Sequence, residues 1–194
     1  MVVGSGNRIS VERPLAEFSR LEITVSATIQ IRIREPQVFT MEIDDNLARL
    51  ITTNSDGQTL RISSEDFFTS DSGLNINIQT NRLESLKTFG ETKAEIIGLH
   101  DTDFAVFVDG TAQIKAIGDV RRGELSIAGA GAALDFSDLV ARDMIIRING
   151  ASNGEVNVTD SLQVIINGVG NVRFRGNPRS IEKVINGIGS VSPC

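Results

Sequence analysis

One histidine and its neighbouring carboxylates are the residues of this sequence best placed for acid–base or metal chemistry. His100 is followed by Asp101 and Asp103, a spacing that could form an acid–base pair or part of a metal site. Metal binding and nucleophilic catalysis both need more partners than one histidine provides, so a polar corner is the favoured interpretation. The chain has one His, one Cys and no Trp or Tyr. That composition argues against a catalytic triad, a multi-histidine metal site and sugar-stacking Trp or Tyr side chains.

Arginines and aspartates of the second half could instead form the site of a polysaccharide lyase, in which an Arg abstracts a proton and Asp residues hold calcium. The candidates are Arg147, Arg173, Arg175, Asp135, Asp138 and Asp160. Alternation places Arg173 on the outward face of a strand, and the pattern shows no acidic cluster that converges on it. The pair Asp44 and Asp45 falls at a turn. The sequence therefore predicts no catalytic residue and no cofactor, and a lyase is the weaker alternative.

The charge of the chain limits its partners. Lys and Arg total 19 and Asp and Glu total 25, which gives a net charge of −6, and the charges are scattered. Nucleic-acid binding needs a basic face, whereas the densest basic spot, Arg121-Arg122, is expected in a solvated turn. No apolar stretch approaches the ~20 residues that span a bilayer. We expect no nucleic-acid partner and no transmembrane segment in this chain.

The elements that must position any site are strands. In a β-rich region over residues 8–82, apolar residues alternate with polar ones, and this period of two gives each strand one buried and one exposed face. The apolar residues are Leu21, Ile23, Val25, Ile29, Ile31, Ile33, Phe39, Met41, Ile43, Leu60, Ile62, Leu74, Ile76 and Ile78. Residues 45–51 alone suggest a helix, of at most two turns.

Residues 83–191 contain a repeat. Glycines recur every 18 to 21 residues, at Gly90, Gly110, Gly129, Gly150, Gly168 and Gly187. A near-constant period of this length is typical of a solenoid and is too short for a pair of helices. Apolar residues keep fixed positions on both sides of each glycine, with a small insertion after the turn in the Gly129 and Gly150 units. Lys183 interrupts the first apolar column, as expected of a terminal coil.

These patterns predict an all-β fold. We expect a right-handed parallel β-solenoid of two sheets, with about 19 residues per coil and the six glycines at one edge. The region 8–82 is expected to pack on this solenoid or to continue it. Cys194, the single cysteine, has no partner for an intramolecular disulfide or a zinc site, and its role stays open.

The repeated turns favour a structural role for their small residues. The motif Gly-x-Gly occurs at residues 129–131, 168–170 and 187–189, where a tight reversal favours positive φ. On this argument, Gly168→Val should destabilise the domain by roughly 1–3 kcal/mol through backbone strain. Phosphate binding is disfavoured, because no Gly-Lys-Ser/Thr motif and no following helix are present.

An asparagine precedes three of the glycines, at Asn149, Asn167 and Asn186. Stacked coils would place these side chains about one strand spacing apart, where their amides can form a hydrogen-bonded ladder. A calcium site is the alternative for aligned polar side chains, but calcium needs several carboxylates and this column offers amides. A structural ladder is therefore the prediction.

The repeated Ile-Asn-Gly and Gly-x-Gly-x-Val turns, after an alternating region that ends at residues 83–87, resemble the auto-transporter adhesin, head GIN domain family of bacteria. The resemblance covers residues 8–191. It implies a β-helix similar in shape to pectin lyases, export to the cell envelope and an adhesion role without catalytic residues. The family's Gly-Ser-Gly is Gly-Ala-Gly, Gly-Val-Gly or Gly-Ile-Gly here, which keeps the turn but removes a hydroxyl. This departure argues against a polar binding stripe at the turns.

Two non-catalytic functions remain: a cell-surface, adhesin-like module that binds a glycan or a protein, and an envelope spacer without a ligand of its own. Binding is slightly favoured, because solenoids offer extended surfaces. Phe89, Phe104 and Phe107 are candidates for an exposed patch, some of which the N-terminal region is expected to cover. The extracytoplasmic location rests on the resemblance, since the first residues contain no signal peptide. Unpaired backbone groups at the last coil predict a weak two-fold dimer.

Overall fold

The computed structural model describes residues 1–194, apart from the side chain of Asp101. Within these residues, one 3₁₀ helix spans Ala48–Leu50, and it replaces the longer helix suggested for residues 45–51. The strands are β1 (Val2–Val3), β2 (Arg8–Glu12), β3 (Arg20–Ile23), β4 (Ala27–Ile33), β5 (Val38–Asp44), β6 (Ile51–Ser55), β7 (Thr59–Ser64), β8 (Phe68–Thr69), β9 (Asn75–Thr80), β10 (Ser85–Thr88), β11 (Glu91–Val108), β12 (Thr111–Ile127), β13 (Ala130–Ile148), β14 (Ala151–Ile166), β15 (Val169–Arg175), β16 (Ser180–Ile185) and β17 (Ile188–Pro193).

The predicted solenoid is confirmed, with about five turns. The long strands β11 to β14 each form most of one coil and pair with one another in parallel. Each bends near its middle, where the pairing register shifts; in β12 this shift lies between Lys115 and Gly118. A coil therefore has two straight halves, one after each glycine turn and one before the next turn.

The two halves of each coil lie in two different sheets. Sheet A, as we name it, consists of the halves that follow the glycine turns in β11–β14, together with β2, β4, β5, β9, β15 and β17. Sheet B consists of the halves that precede the turns, together with β3, β6, β7, β10 and β16. Side chains that point inward from the two sheets form the core between them.

The N-terminal region continues the solenoid. Strands β3 and β4 form a coil that pairs in parallel with β10 and β11 on one side and with β7 and β9 on the other. The chain is therefore threaded out of order, because the β3–β4 coil lies between the coil of β7 and β9 and the coil of β10 and β11. Antiparallel strands β2, β5 and β6 complete the far end.

Inward residues form continuous apolar columns, as the alternation predicts. In sheet B one column runs through Leu86, Val106, Leu125, Ile146 and Val164, and all five side chains are buried. Lys183 follows them in the last coil, opposite Val164. The buried residues form one cluster that includes both regions of the chain. The division between residues 8–82 and 83–191 marks a change in pairing pattern, and its standing as a domain boundary stays a prediction.

The insertion expected after Gly150 is wrong. Ala151 pairs directly with Val169, and Gly154 pairs with Val172. The extra residue is Gly131 of the preceding coil. Ala130 pairs with Ala151 and Ala132 pairs with Ser152, so Gly131 is left out of the pairing. Gly131 has a φ of +89°, a conformation that L side chains rarely adopt, and this bulge absorbs the additional residue.

Candidate functional site

The six repeat glycines lie in one column at the edge where sheet B passes into sheet A. A Cβ built on Gly150 would lie 1.8 Å from the Gly129 carbonyl oxygen, and one on Gly168 would lie 2.0 Å from the Gly150 oxygen. Similar contacts join Gly187 to Gly168 and Gly110 to Gly90. The backbones of successive turns therefore approach too closely for any side chain.

This close approach corrects the physical reason given for the turn glycines. Of the six, Gly110 alone has a φ in the positive range, at +149°. The expectation of backbone strain for a substitution at Gly168 is therefore wrong in its cause. The methyl group of an alanine would collide with the coil below, whatever its φ.

The turn residues Asn149, Asn167 and Asn186 form a hydrogen-bonded ladder. Asn167 donates from Nδ2 to Asn149 Oδ1 at 2.8 Å, and Asn186 donates from Nδ2 to Asn167 Oδ1 at 2.9 Å. All three side chains are exposed. Among the residues whose side chains are described, no group of three or more His, Cys, Asp or Glu could hold a metal ion.

The structure separates the acidic residues near His100. His100 Nδ1 lies 2.8 Å from Asp119 Oδ1 on the neighbouring coil, whereas Asp103 accepts two hydrogen bonds from Arg121 at 3.0 and 3.1 Å. The bonds from Arg121 lower the pKa of the Asp103 carboxyl. The side chain of Asp101 lies outside the described part of the structure. Asp103 is therefore committed to an arginine rather than to the histidine.

The lyase candidates form ion pairs between coils. Arg147 lies 2.5 Å from Glu124, and Arg175 lies 2.5 Å from Glu155. Asp160 pairs with Arg142 at 3.3 Å, and Asp138 pairs with Lys115 at 3.6 Å.

The remaining lyase candidates, Asp135 and Arg173, lie in one row of sheet A on either side of Glu155. Asp135 accepts a hydrogen bond from the Ser137 hydroxyl at 2.6 Å, which lowers the pKa of its carboxyl. Arg173 is exposed on sheet A, in register with Glu155. At the earlier turn, Asp44 is buried beside Arg8 at 3.7 Å, while Asp45 is exposed. The structure therefore groups Asp135, Arg173 and Arg175 around Glu155, whereas Arg147, Asp160 and Asp44 lie elsewhere.

The expected phenylalanine patch is partly wrong. Phe104 is 2% exposed and belongs to the core, since the bend in β11 turns it inward. Phe89 is 41% exposed, and its ring lies 5.8 Å from that of Phe107. Sheet B therefore exposes an aromatic pair rather than a three-residue patch.

Sheet A carries a groove that the sequence interpretation missed. Two rows of outward side chains border it: one contains Asn75, Thr28, Lys93, Gln113, Ala133, Asn153 and Asn171, and the other contains Asn77, Gln30, Glu95, Lys115, Asp135 and Glu155. The strand residues between the rows, such as Ile114 and Leu134, point inward, so their backbone forms the floor. We call this the axial groove. It has a volume of about 720 Å³.

The axial groove runs across the strands and so follows the solenoid axis. It extends from β9 to β15 through β4 and β11–β14. Six strand spacings of about 4.8 Å give it a length of roughly 29 Å. Its signal in the sequence is the polar residue on each side of an inward residue, at 28 and 30, 75 and 77, 93 and 95, 113 and 115, and 153 and 155. Alternation identifies these positions as outward, but it does not say which strands are neighbours.

Six of the thirteen side chains that border the axial groove are amides and five are charged, and much of this charge is paired. Gln30 donates to Glu95 at 3.1 Å, and Asn171 donates to Asn153 at 3.3 Å. Among the described residues, the side chains of Asn75, Asn77 and Gln113 have no intramolecular hydrogen bond. These amides are available to a ligand that offers both donors and acceptors.

Comparison with known proteins identifies related folds. A putative adhesin from Bacteroides fragilis NCTC 9343 has a TM-score of 0.73 and 17% identity, with 100% of each chain covered. A putative adhesin from Parabacteroides merdae ATCC 43184 has a TM-score of 0.56 and 14% identity, over 100% of this chain and 98% of that one. A putative lipid binding protein from Parabacteroides distasonis ATCC 8503 has a TM-score of 0.53 and 18% identity, over 100% and 99%. At these identities the likeness establishes the fold alone.

Comparison of the sequence gives the family. No curated protein sequence matches the chain. In the described residues, no helix has the length and hydropathy needed to cross a bilayer. The family model described as "Putative auto-transporter adhesin, head GIN domain" matches residues 17–178. Because this match covers most of the chain, the protein belongs to the auto-transporter adhesin, head GIN domain family.

Proposed function

We propose that this protein is a non-catalytic, adhesin-like module outside the cytoplasm, and that its axial groove binds a linear, uncharged glycan. The observation that carries the proposal is the groove itself, a continuous channel of about 720 Å³ bordered by amide side chains and by side chains of opposite charge. Family membership and the putative adhesins of similar fold support a role at the cell surface.

The direction of the groove favours a glycan over a peptide. A peptide commonly binds a sheet by adding a strand to an edge, where backbone N–H and C=O groups are free. The groove crosses the middle of sheet A, where strands such as β11, β12 and β13 are paired on both sides. A ligand there must be recognised by side chains, and the hydroxyl groups of a glycan both donate to and accept from amides.

The charge of the groove favours an uncharged ligand. Lys93 and Lys115 are opposed by Glu95, Asp135 and Glu155, so neither sign prevails strongly. Glu155 is paired with Arg175, and Lys115 with Asp138. Two of the three arginine candidates, Arg147 and Arg175, are paired with carboxylates of adjacent coils. This pairing supports the non-catalytic part of the proposal, because a lyase base needs an arginine free to accept a proton.

Binding to linear oligosaccharides of increasing length tests this proposal. We expect affinity to rise with chain length until the oligosaccharide is about as long as the groove, and the ligand to be recovered uncleaved. Gln113→Ala should weaken binding by about tenfold, because it removes a bidentate amide from the middle of the groove. Isothermal titration calorimetry on candidates from a glycan array measures both effects.

Gln163→Ala is the matched control, since Gln163 is an outward glutamine on sheet B, bonded to Glu182 at 3.0 Å. It should leave affinity unchanged. Equal loss in both variants would contradict a site in the groove, and cleavage of the ligand would contradict the non-catalytic assignment. Absence of binding to any glycan and to cell surfaces would support the alternative function, an envelope spacer.

We also infer that this 194-residue chain forms a weak two-fold dimer through its last coil. Strands β16 and β17 are each paired on one side, and Ile185 and Ile188 are 41% and 74% exposed. Identical edges can pair in antiparallel fashion about a two-fold axis. Lys183 limits the association, because its Nζ donates to the Val191 carbonyl at 2.8 Å and its stem crosses the open end of the core.

Light scattering at tens of micromolar protein should therefore show a mass that rises with concentration. Ile185→Glu is expected to abolish this rise by placing a charge at the pairing edge. Val3→Glu, a change of the same kind at a residue that is 68% exposed in β1, should have no effect. A mass that stays at one chain for the unchanged protein over the whole concentration range excludes the dimer.

A further inference from the structure

A second concave site lies on sheet B, away from the axial groove. One row of its outward side chains runs through Arg20, Ser85, Ala105 and Glu124 on adjacent strands. Ser85 and Ala105 are short, so a depression of about 650 Å³ forms between the longer side chains around them. We call this depression the cationic pocket.

Positive charge is concentrated in the cationic pocket. Its lining includes five cations, Arg20, Arg82, Lys87, Arg121 and Arg122. These are five of the 19 Lys and Arg residues in a chain whose net charge is −6. Arg121 and Arg122 lie within β12 rather than in the solvated turn expected for them. Both line the same depression.

The carboxylates of the pocket leave part of this charge unneutralised. Glu84 lies 2.7 Å from Arg82 and 3.5 Å from Arg20, and it also accepts a hydrogen bond from the Ser19 hydroxyl. Asp103 is held by Arg121. The third carboxylate, Glu124, pairs with Arg147, which lies outside the pocket.

Two cations are paired less closely than the others. Lys87 is in register with Glu22, and Arg122 is in register with Asp103 and Asp143. Among the side chains that the structure describes, however, neither cation has a carboxylate oxygen within 4 Å of its charged nitrogen atoms. Both are exposed and stand on opposite sides of Ala105, one on β10 and one on β12. Lys87 is in register with Phe107 and Arg122 with Asp103, so the two line the depression diagonally. An ammonium and a planar guanidinium that line one depression can both contact an oxyanion bound in it.

We propose that the cationic pocket binds one anionic group, a carboxylate or a sulfate, carried on an acidic glycan. The pocket is large enough for a sugar residue together with its anionic group, which a site for a bare ion would not require. A nucleic acid is a poor fit, because duplex DNA presents a charge about every 1.7 Å and needs an extended basic face. Glu22 and Asp143 lie beside the pocket, in register with Lys87 and Arg122, and with Glu182 farther along sheet B they interrupt any such face.

Isothermal titration calorimetry of the full chain, at low and at physiological salt concentration, tests this proposal. The probes are an oligogalacturonate, a heparin oligosaccharide, an uncharged oligosaccharide of similar length, and inorganic sulfate. We expect binding of one or both acidic oligosaccharides, and which of the two binds more tightly identifies the anionic group. Replacing Lys87 and Arg122 together by Gln should weaken this binding by at least about tenfold, because two charge-assisted contacts are lost.

The matched control is a double variant with the same change in net charge at two positions outside the pocket. Arg49→Gln with Arg179→Gln removes two exposed cations far from the pocket, and it should change affinity by less than about twofold. Circular dichroism verifies that both double variants are folded. Equal losses in the two double variants would show non-specific attraction and overturn the site.

Three further outcomes also overturn the proposal: no binding of either acidic oligosaccharide, equal binding of the uncharged one at this site, or inorganic sulfate binding as tightly as the glycans. Gln113→Ala in the axial groove should leave binding of the acidic probes unchanged. Failure of the cationic pocket is therefore distinguishable from failure of the proposed groove.

Discussion

Gly168→Ala is expected to lower the free energy of unfolding by about 1–3 kcal/mol, as for overpacking in a tightly packed interior. The added Cβ would lie 2.0 Å from the Gly150 carbonyl oxygen and 2.9 Å from its carbonyl carbon. Moving the turn away would stretch the hydrogen bond from the Val169 N–H to the Gly150 oxygen, now 2.9 Å, and the amide bond between Asn167 and Asn149. Urea-induced unfolding, followed by circular dichroism, measures the change.

Gly154→Ala is the matched control, and its expected effect has the opposite sign. Its added Cβ would lie 3.7 Å from Leu134, an ordinary contact, and its backbone is outside the positive-φ region. Alanine at such a position should stabilise the protein by about 0.4–1 kcal/mol, because it reduces the conformational freedom of the unfolded chain. Equal stabilities of the two alanine variants would show that close stacking of the turns does not require glycine.

Gly131→Ala separates the two reasons for a glycine. Gly131 has a φ of +89°, while its added Cβ would lie 3.5 Å from Thr111. Its cost would therefore come from backbone conformation, whereas the cost at Gly168 comes from contact with the adjacent coil. The sequence shows the same Gly-x-Gly at both places, so it could not distinguish these causes.

The solenoid could be predicted because its information is local and repeated. Alternation in segments such as residues 106–108 and 125–127 specifies an inward face, and the spacing of Gly110, Gly129 and Gly150 specifies the length of a coil. Stacking then brings equivalent residues into register, as in the column from Val106 to Leu125 to Ile146. Fold and core followed from these two signals.

The order of the N-terminal coils could not be predicted in the same way. Alternation in β3 and β7 shows which side chains are buried, but it does not specify that β3 lies between β7 and β10. The same limit hid both candidate sites. The axial groove depends on Thr28 lying between Asn75 and Lys93, and the cationic pocket depends on Arg20 lying beside Ser85. These neighbours come from distant parts of the sequence and from strands threaded out of order.

Phe136→Ala should cause the largest loss of stability among these variants, about 3–5 kcal/mol, as for other buried aromatic residues. Phe136 is fully buried in β13, at 0% exposure, and it pairs in register with Val156 of the next coil. Its strand β13 is hydrogen-bonded to β12 on one side and to β14 on the other. The surrounding coils therefore have little freedom to move into the cavity that the ring would leave. Thermal and urea unfolding measure the loss.

Two further phenylalanines provide the controls for this prediction. Phe67 is 84% exposed, and Phe67→Ala should change stability by no more than about 0.5 kcal/mol. Phe174 is 8% exposed, and Pro193 is the residue in register with it in the last coil. Because each coil of a solenoid is stabilised by its neighbours, Phe174→Ala should chiefly release the terminal strands β16 and β17. Hydrogen exchange should then rise in residues 180–193 in that variant and across the central coils in Phe136→Ala. If Phe136→Ala cost no more stability than Phe67→Ala, the inward columns would not be the source of the solenoid's stability.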